Sequence, residues 1–480
     1  MARFAVTTFG CQMNVHDSER LEQVLVRAGY GRLPEEVDRE EADVIVINTC
    51  SVREKAEQKL RSEVGQLGKL KKRRPELSIV VAGCLAQQEG DALIERFPAI
   101  DIVLGPDNIP ELPELLADAR LGGLPRVRTV FDVEDPQFLT VPEAATGKPT
   151  AFVTTMKGCN ERCSFCIVPY TRGPERYRPS REIIDEVRTL TERGVREVML
   201  LGQTVNSYRD PLGALSPAPE HDPADPDESE FSALLRAIAE QVPELVRLRY
   251  TSPHPRHLTP SLVAAHRDLP VLPRHVHLPL QSGSSRMLKR MIRRHTQEEY
   301  LERVERLRAQ VPDATVGTDI IVGFSGETDE DFEETLKVME AVRFTGVYAF
   351  KYSPRPYTPA LKMGDDVPAE VKSERLQRLF AVSERLMGEH LRGLVGTRQR
   401  VLVEGPSLRP ENLTGRSERN EIVHVREALE LDAVGQVVEV EIVQAYKHSL
   451  LGELTEEARA QLPNKAPGRR ALPLVSGGAA

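Results

Sequence analysis

The sequence predicts an α/β protein in three parts: an N-terminal doubly wound parallel-sheet domain, a central run of six βα units, and a small C-terminal antiparallel β domain. Three observations predict it. Short apolar β-rich runs alternate with helical patterns over 1–132 and again over 149–390, a Pro/Glu/Ala/Thr-rich stretch separates the two, and after residue 390 the period switches to the two-residue alternation of strands. At 480 residues the chain is long enough for about three domains of roughly 150 residues each. Its 40% apolar content is ample for cores.

In the first part, Ala2 to Thr8, Asp43 to Asn48 and Leu77 to Ala82 read as strands, with helical periodicity at Asp17 to Ala28 and Ala86 to Phe97. Each strand runs into a cysteine, in Gly10-Cys11, Thr49-Cys50 and Gly83-Cys84. In an open parallel sheet the carboxyl ends of the strands form one edge, where such folds place their ligands. Cys11, Cys50 and Cys84 are thereby predicted to meet on one rim as a three-thiolate site. The stretch 133–148 reads as a linker.

In the second part, strands are expected at Ala151 to Lys157, Glu197 to Leu201, Val246 to Thr251, His275 to Leu280, Thr315 to Val322 and Gly346 to Lys351. Helices are expected at Arg181 to Arg193, Glu230 to Gln241, Ser284 to Gln310 and Glu330 to Val342. The first strand delivers the tight loop Cys159-x3-Cys163-x2-Cys166, too compact for separate structural disulfides. Zinc wants four tetrahedral ligands, and no fourth Cys or His follows, so the loop suits an iron-sulfur cluster with one iron left open. Six cysteines with no signal-peptide pattern and no apolar run of 18 residues point to a reducing, cytoplasmic setting away from membranes.

Cys159, Cys163 and Cys166, with Phe165 before the last, resemble the radical S-adenosylmethionine (SAM) superfamily. That resemblance implies a partial (βα)6 barrel whose 4Fe-4S cluster binds SAM at the open iron. Thr8-Phe9-Gly10-Cys11-Gln12-Met13-Asn14 and Asn48-Thr49-Cys50-Ser51-Val52-Arg53-Glu54 are similar to the methylthiotransferases, in the branch that acts on tRNA. The resemblance implies a second 4Fe-4S cluster on Cys11, Cys50 and Cys84, and methylthiolation of carbon 2 of N6-isopentenyladenosine next to the anticodon. The sister branches act on threonylcarbamoyl-adenosine or on a ribosomal-protein aspartate. It also implies an electron donor and a sulfur source, neither identified by the sequence, and a monomer is expected.

Polar groups at the strand ends make Gln203, Asn206 and Gln281 candidates for holding SAM, and Phe165 is expected to pack near its adenine. Arg209 to Glu228 reads as an inserted mobile loop without chemistry, and His254, His257, His275 and His277 as structural histidines. Gly323-Phe324-Ser325-Gly326 carries serine, and Ser353-Pro354-Arg355-Pro356-Tyr357-Thr358 carries Tyr357, where the family has proline and glycine.

The formal net charge of −9 does not decide for or against RNA, because local patches govern encounter. Arg286, Lys289, Arg290 and Arg293 fall on one face of the expected helix 284–310, and Arg172 and Arg176 flank the cysteine loop. All six are expected to neutralise tRNA phosphates.

In the third part, 369–393 has helical composition, and Arg398 to Glu404, Leu413 to Ser417, Glu421 to Val425 and Gln436 to Gln444 read as strands. Val403-Glu404-Gly405-Pro406-Ser407 and Thr414-Gly415-Arg416 resemble the TRAM domain, a small RNA-binding barrel, here spanning 391–456. The Pro/Ala/Gly/Arg-rich tail 457–480 is expected to be disordered.

Overall fold

The structure, a computed structural model, describes residues 2–465 except 35–36, 52–53, 122, 135, 139–146, 410 and 427. Most of the expected linker and the tail beyond 465 therefore lie outside the described residues.

The N-terminal strands form one parallel sheet in the order Gly31–Arg32, Arg3–Phe9, Val44–Thr49, Ser78–Gly83, Ile102–Leu104, Arg126–Arg128. The runs Val44–Thr49 and Ser78–Gly83 are buried along their whole length, as strands covered on both faces must be. One face packs Leu60, Val64 and Leu67 of the helix Glu54–Arg73, and the other Leu21 and Leu25 of Gln12–Arg27 with Leu112 and Leu116 of Leu112–Arg120. The register pairs Phe9 with Thr49 and Thr49 with Gly83, so three strands end level. The expected helix 86–97 is two short helices, Cys84–Glu89 and Asp91–Arg96, broken at Gly90 with φ +50°.

The six central strands are all parallel but split into two three-stranded sheets. Arg247–Tyr250, Glu197–Leu201 and Thr150–Thr154 form one, and His275–His277, Thr315–Val322 and Gly346–Lys351 the other. A single apolar core spans both, from Val153 and Val198 to Val316 and Ala349. The expected helix 284–310 is interrupted: Ser285–Arg290 ends, Ile292 and Arg294 take φ of +56° and +53°, and Gln297–Gln310 begins behind a Thr296/Glu299 capping box. The 209–228 insertion is tied at both ends. Asp210 accepts from Ser180 N at 3.1 Å, Asp227 pairs with Arg303 at 3.3 Å, and Glu228 accepts from Ser261 Oγ at 2.8 Å.

The helix Ala369–Gly393 belongs to two domains at once, giving Leu379 and Leu386 to the central core and Leu391 to the C-terminal one. Beyond it a closed barrel runs in the order Arg398–Pro406, Asn412–Ser417, Ile422–Arg426, Leu450–Leu454, Val437–Ala445. Its fifth strand, Leu450–Leu454, pairs in parallel with Ile422–Arg426, while the other neighbours are antiparallel. The tail corrects the expectation of disorder as far as it is described. Glu456–Gln461 is a helix capped by Thr455, and Lys465 N donates to Glu430 O at 2.8 Å, because Ala458 is buried in the barrel core. No helix among the described residues is long and apolar enough to cross a membrane.

Candidate active site

The tight loop after Met156–Lys157 is fixed from several sides. Gly158 has φ +78°, and a Cβ there would lie 1.9 Å from Pro174 O, so only glycine fits. Cys159 N donates to Gly173 O at 3.1 Å, Ser164 N to Met291 O at 2.9 Å, and Ala360 N to Ser164 O at 2.8 Å. Phe165 lies against Met287, Met291, Phe324 and Tyr352, with its ring edge-on to Phe324 at 6.5 Å.

The second triad hangs on the level strand ends. Cys11 precedes the helix Gln12–Arg27, Cys50 N donates to Phe9 O at 2.9 Å, and Cys84 begins the helix after Gly83. Buried amides brace this rim: Asn48 Nδ2 donates to Asn14 O at 2.8 Å and to Ser18 Oγ at 3.0 Å. None of the six cysteines is in a disulfide, and all six line one cavity of about 3140 Å³, together with Phe165, Gln203, Gln281, His254, Arg172 and Arg293.

The sulfurs are not bare. Thr204 Oγ1 lies 2.9 Å from Cys159 Sγ, Arg293 Nη1 donates to Cys163 Sγ at 3.3 Å, and Arg172 Nε donates to Cys84 Sγ at 3.2 Å. Burial pushes the Cys159 thiol up to about 12, against the contacts from Thr204 and the Glu161 backbone, and it pushes Cys84 and Cys166 up as well. Such thiols ionise when a metal takes the place of the proton.

Among the described residues no three His, Cys, Asp or Glu side chains converge to hold a single metal ion. Two donor sets of three thiols each, one on a tight loop and one on level strand ends, are the ligands that iron-sulfur clusters take. Gln203 adds to that fit. Its Oε1 accepts from Gly158 N, while its Nε2 is buried and unpartnered on the cavity side of the cysteine loop.

The other expected cofactor contacts divide. Gln281 lines the cavity at φ +74°, where its backbone extends the ladder to Ile320. Asn206 does not serve as expected: it is fully buried, and both its amide atoms are taken by the His254 backbone, at 3.0 Å and 2.7 Å. What Asn206 holds in place is His254, which lines the cavity with Nε2 unpartnered. Burial, then Arg293 and the neighbouring histidines, keep that imidazole neutral by lowering its pKa well below the ordinary value. Sequence reading took His254 as structural, and nothing in its local pattern marks it otherwise.

Three of the six expected RNA-facing cations are corrected. Arg172, Arg176 and Arg293 are only 7%, 5% and 5% exposed. Arg172 pairs with Asp17 at 2.5 Å, and Arg176 with Asp107 at 2.6 Å and with Asp132. Arg293 leaves the basic face because the helix ends at Arg290, and the left-handed residues on either side of it turn it inward to Pro279 O at 2.9 Å. Lys289 and Arg286 are exposed, Arg286 beside Asp331, and Arg290 is half-buried against Ser325 O at 3.0 Å.

Comparison with known proteins agrees with this architecture. Residues 3–105 match the family described as "Uncharacterized protein family UPF0004", residues 153–339 the radical SAM superfamily, and residues 392–455 the TRAM domain. The tRNA-2-methylthio-N(6)-dimethylallyladenosine synthase of Sorangium cellulosum is 59% identical, covering 99% of both chains. That of Ralstonia nicotianae is 43% identical over 95% of this chain and 98% of its own. Among solved structures, the radical S-adenosylmethionine methyltransferase TsrM from Kitasatospora setae is 16% identical, with a TM-score of 0.49 over 75% of this chain and 77% of that one. With relatives this similar over their full length, the chain belongs to the family of tRNA-2-methylthio-N(6)-dimethylallyladenosine synthases.

Proposed function

We propose that this protein methylthiolates carbon 2 of N6-isopentenyladenosine next to the anticodon of tRNA, as a cytoplasmic monomer, with Cys159, Cys163 and Cys166 holding one 4Fe-4S cluster and Cys11, Cys50 and Cys84 a second. The observation that carries the reading is the single cavity into which both triads face. Carbon 2 of adenine offers neither an acidic proton nor a leaving group. When bound, the clusters and SAM supply the radical and the methylthio sulfur, given an external one-electron donor and a sulfur source.

The chain's own part is to orient the reacting groups. Gln203 fixes the Gly158 amide and offers its free Nε2 to a ligand, and Thr204 caps Cys159. Neutral His254 and Gln281 line the same cavity without adding charge to it. Phe165 closes the floor against Phe324. The substrate base must leave its stacked loop to enter, at a cost of a few kcal/mol. Exposed Lys289 and Arg286 and the C-terminal barrel are the surfaces that bind the rest of the tRNA.

Iron and sulfide counting tests the two sites: Cys159→Ala and Cys50→Ala are each expected to lose one cluster and retain the other. Nucleoside analysis of deletion and complemented cells tests the reaction. Unchanged 2-methylthio-isopentenyladenosine on deletion would overturn it, and would turn attention to threonylcarbamoyl-adenosine or a ribosomal-protein aspartate.

A further inference from the structure

We propose that Arg172 and Arg293 are matched positioning residues, each donating to one cysteine sulfur of one triad and thereby setting the reduction potential of the cluster held there. This rests on the two-cluster reading above.

The geometry is parallel at the two sites. Arg293 Nη1 reaches Cys163 Sγ at 3.3 Å, and Arg172 Nε reaches Cys84 Sγ at 3.2 Å. Both side chains are buried, and both come from outside the loop whose sulfur they touch. Arg293 follows the helix Ser285–Arg290, and its Nη2 is anchored on Pro279 O at 2.9 Å. Arg172 follows the short helix Val168–Thr171, which leaves the Cys159–Cys166 loop and packs against the helix Cys84–Glu89. The central domain thus completes the surroundings of an N-terminal sulfur.

A buried guanidinium facing a sulfur has a definite electronic effect. Reduction adds one electron from an external low-potential donor and makes or breaks no bond, so the cluster gains one negative charge. A nearby positive charge and an N–H donated to sulfur favour that more negative state and raise the potential. The two sites differ in how far the charge is offset. Asp17 pairs with Arg172 at 2.5 Å, and Arg20 in turn lies 3.5 Å from Asp17. Among the described residues no carboxylate pairs with Arg293, and its Nε has no partner. Arg293 therefore carries the stronger effect.

The test is a dithionite titration of the reconstituted full chain, with each cluster followed by its EPR signal and the signals assigned in Cys159→Ala and Cys50→Ala backgrounds. Arg172→Gln is expected to lower the reduced-to-oxidised ratio of the N-terminal cluster about tenfold at a fixed potential, about 59 mV for one electron, and to leave the other cluster unchanged. Arg293→Gln should do the converse with a larger shift. Arg172→Lys and Arg293→Lys keep the charge and should shift less with full iron content. If a Gln variant loses its iron, the Lys variant decides, a shift confined to its own cluster upholding the assignment. Equal shifts of both clusters, no shift in either, or iron loss in the Lys variants as well would overturn it. Retention of all iron in Cys50→Ala would overturn the two-cluster reading instead, a separate result.

Discussion

Lys157, two residues before Cys159, sits at the centre of a buried four-charge group. Its Nζ lies 3.0 Å from Asp107 and 2.6 Å from Asp132, and Arg176 bonds the same two carboxylates from the other side. The Lys157, Arg176 and Asp107 side chains are 6%, 4% and 6% exposed. Two cations balance two carboxylates, so Lys157→Met keeps the volume and leaves one uncompensated negative charge. Breaking a buried pair in this way costs roughly 3–5 kcal/mol. The escape route is a proton on Asp132, whose pKa burial already raises from 3.8, whereas Asp107 is held below the usual carboxylate range because Lys157 and Arg176 outweigh its burial. Protonating an ordinary aspartate at pH 7 costs about 4 kcal/mol, the same size, and the cost falls by about 1.4 kcal/mol per pH unit. The stability deficit of Lys157→Met is therefore expected to shrink as pH falls from 7 to 5, and Lys157→Met/Asp132→Asn should recover most of it at pH 7. Urea unfolding followed by circular dichroism measures both. A deficit independent of pH, or a double variant no better than the single, would refute the charge argument.

Two further outcomes follow from buried or strained positions. Burial works against the Glu421 charge, but His390 at 2.7 Å, Ser417 and Arg419 outweigh it and bring its pKa from 4.5 to about 2. A carboxyl depressed on folding stabilises above its unfolded value and stops doing so as pH falls through the folded one. Glu421→Gln should thus cost on the order of 3 kcal/mol at pH 7, with the gap to the parent closing between pH 4.5 and 2 in thermal melts; a gap constant over that range would sink the idea. Tyr357 is 63% exposed with φ +66°. Tyr357→Gly and Tyr357→Ala both lose the ring contact with Tyr170, but only glycine relieves the left-handed backbone, so Gly should melt as the more stable by about 1 kcal/mol. Equal melting points would show that the backbone there is not strained.

What the sequence could place, it placed through topology. Cys11, Cys50 and Cys84 are far apart in the chain, yet each follows a strand, and parallel register does the rest by levelling Phe9, Thr49 and Gly83. The cysteine loop was legible for the same reason, as the exit from the first central strand. The basic residues were not legible, because a charge run says nothing of its partners. Arg172 finds Asp17 and Arg176 finds Asp107 across 155 and 69 residues of chain. The break after Arg290 was hidden too: Ile292 and Arg294 take left-handed backbone with no glycine or proline to announce it, and the Arg293 contacts to Pro279 and Cys163 help hold that turn. Tyr357, by contrast, stood out as a residue where the family has glycine, and it is there that the backbone is left-handed.

These arginines also explain how the two triads are kept facing each other. No apolar cluster among the described residues joins the N-terminal domain to the central one, since their cores close separately. What crosses instead is buried charge: Arg172 to Asp17, Arg176 and Lys157 to Asp107. Apolar contacts tolerate sliding, because their energy follows area rather than alignment. A buried ion pair that slips by an ångström leaves a charge unpaired, at a cost of several kcal/mol, so it fixes register even where its net contribution to stability is small. For a reaction in which sulfur and radical must arrive at one carbon, register is the property that counts. Lys157 and Arg172 lie on either side of the cysteine loop in the sequence, and each grips the N-terminal domain. Displacing one grip should therefore tilt the triads relative to each other before it separates the domains.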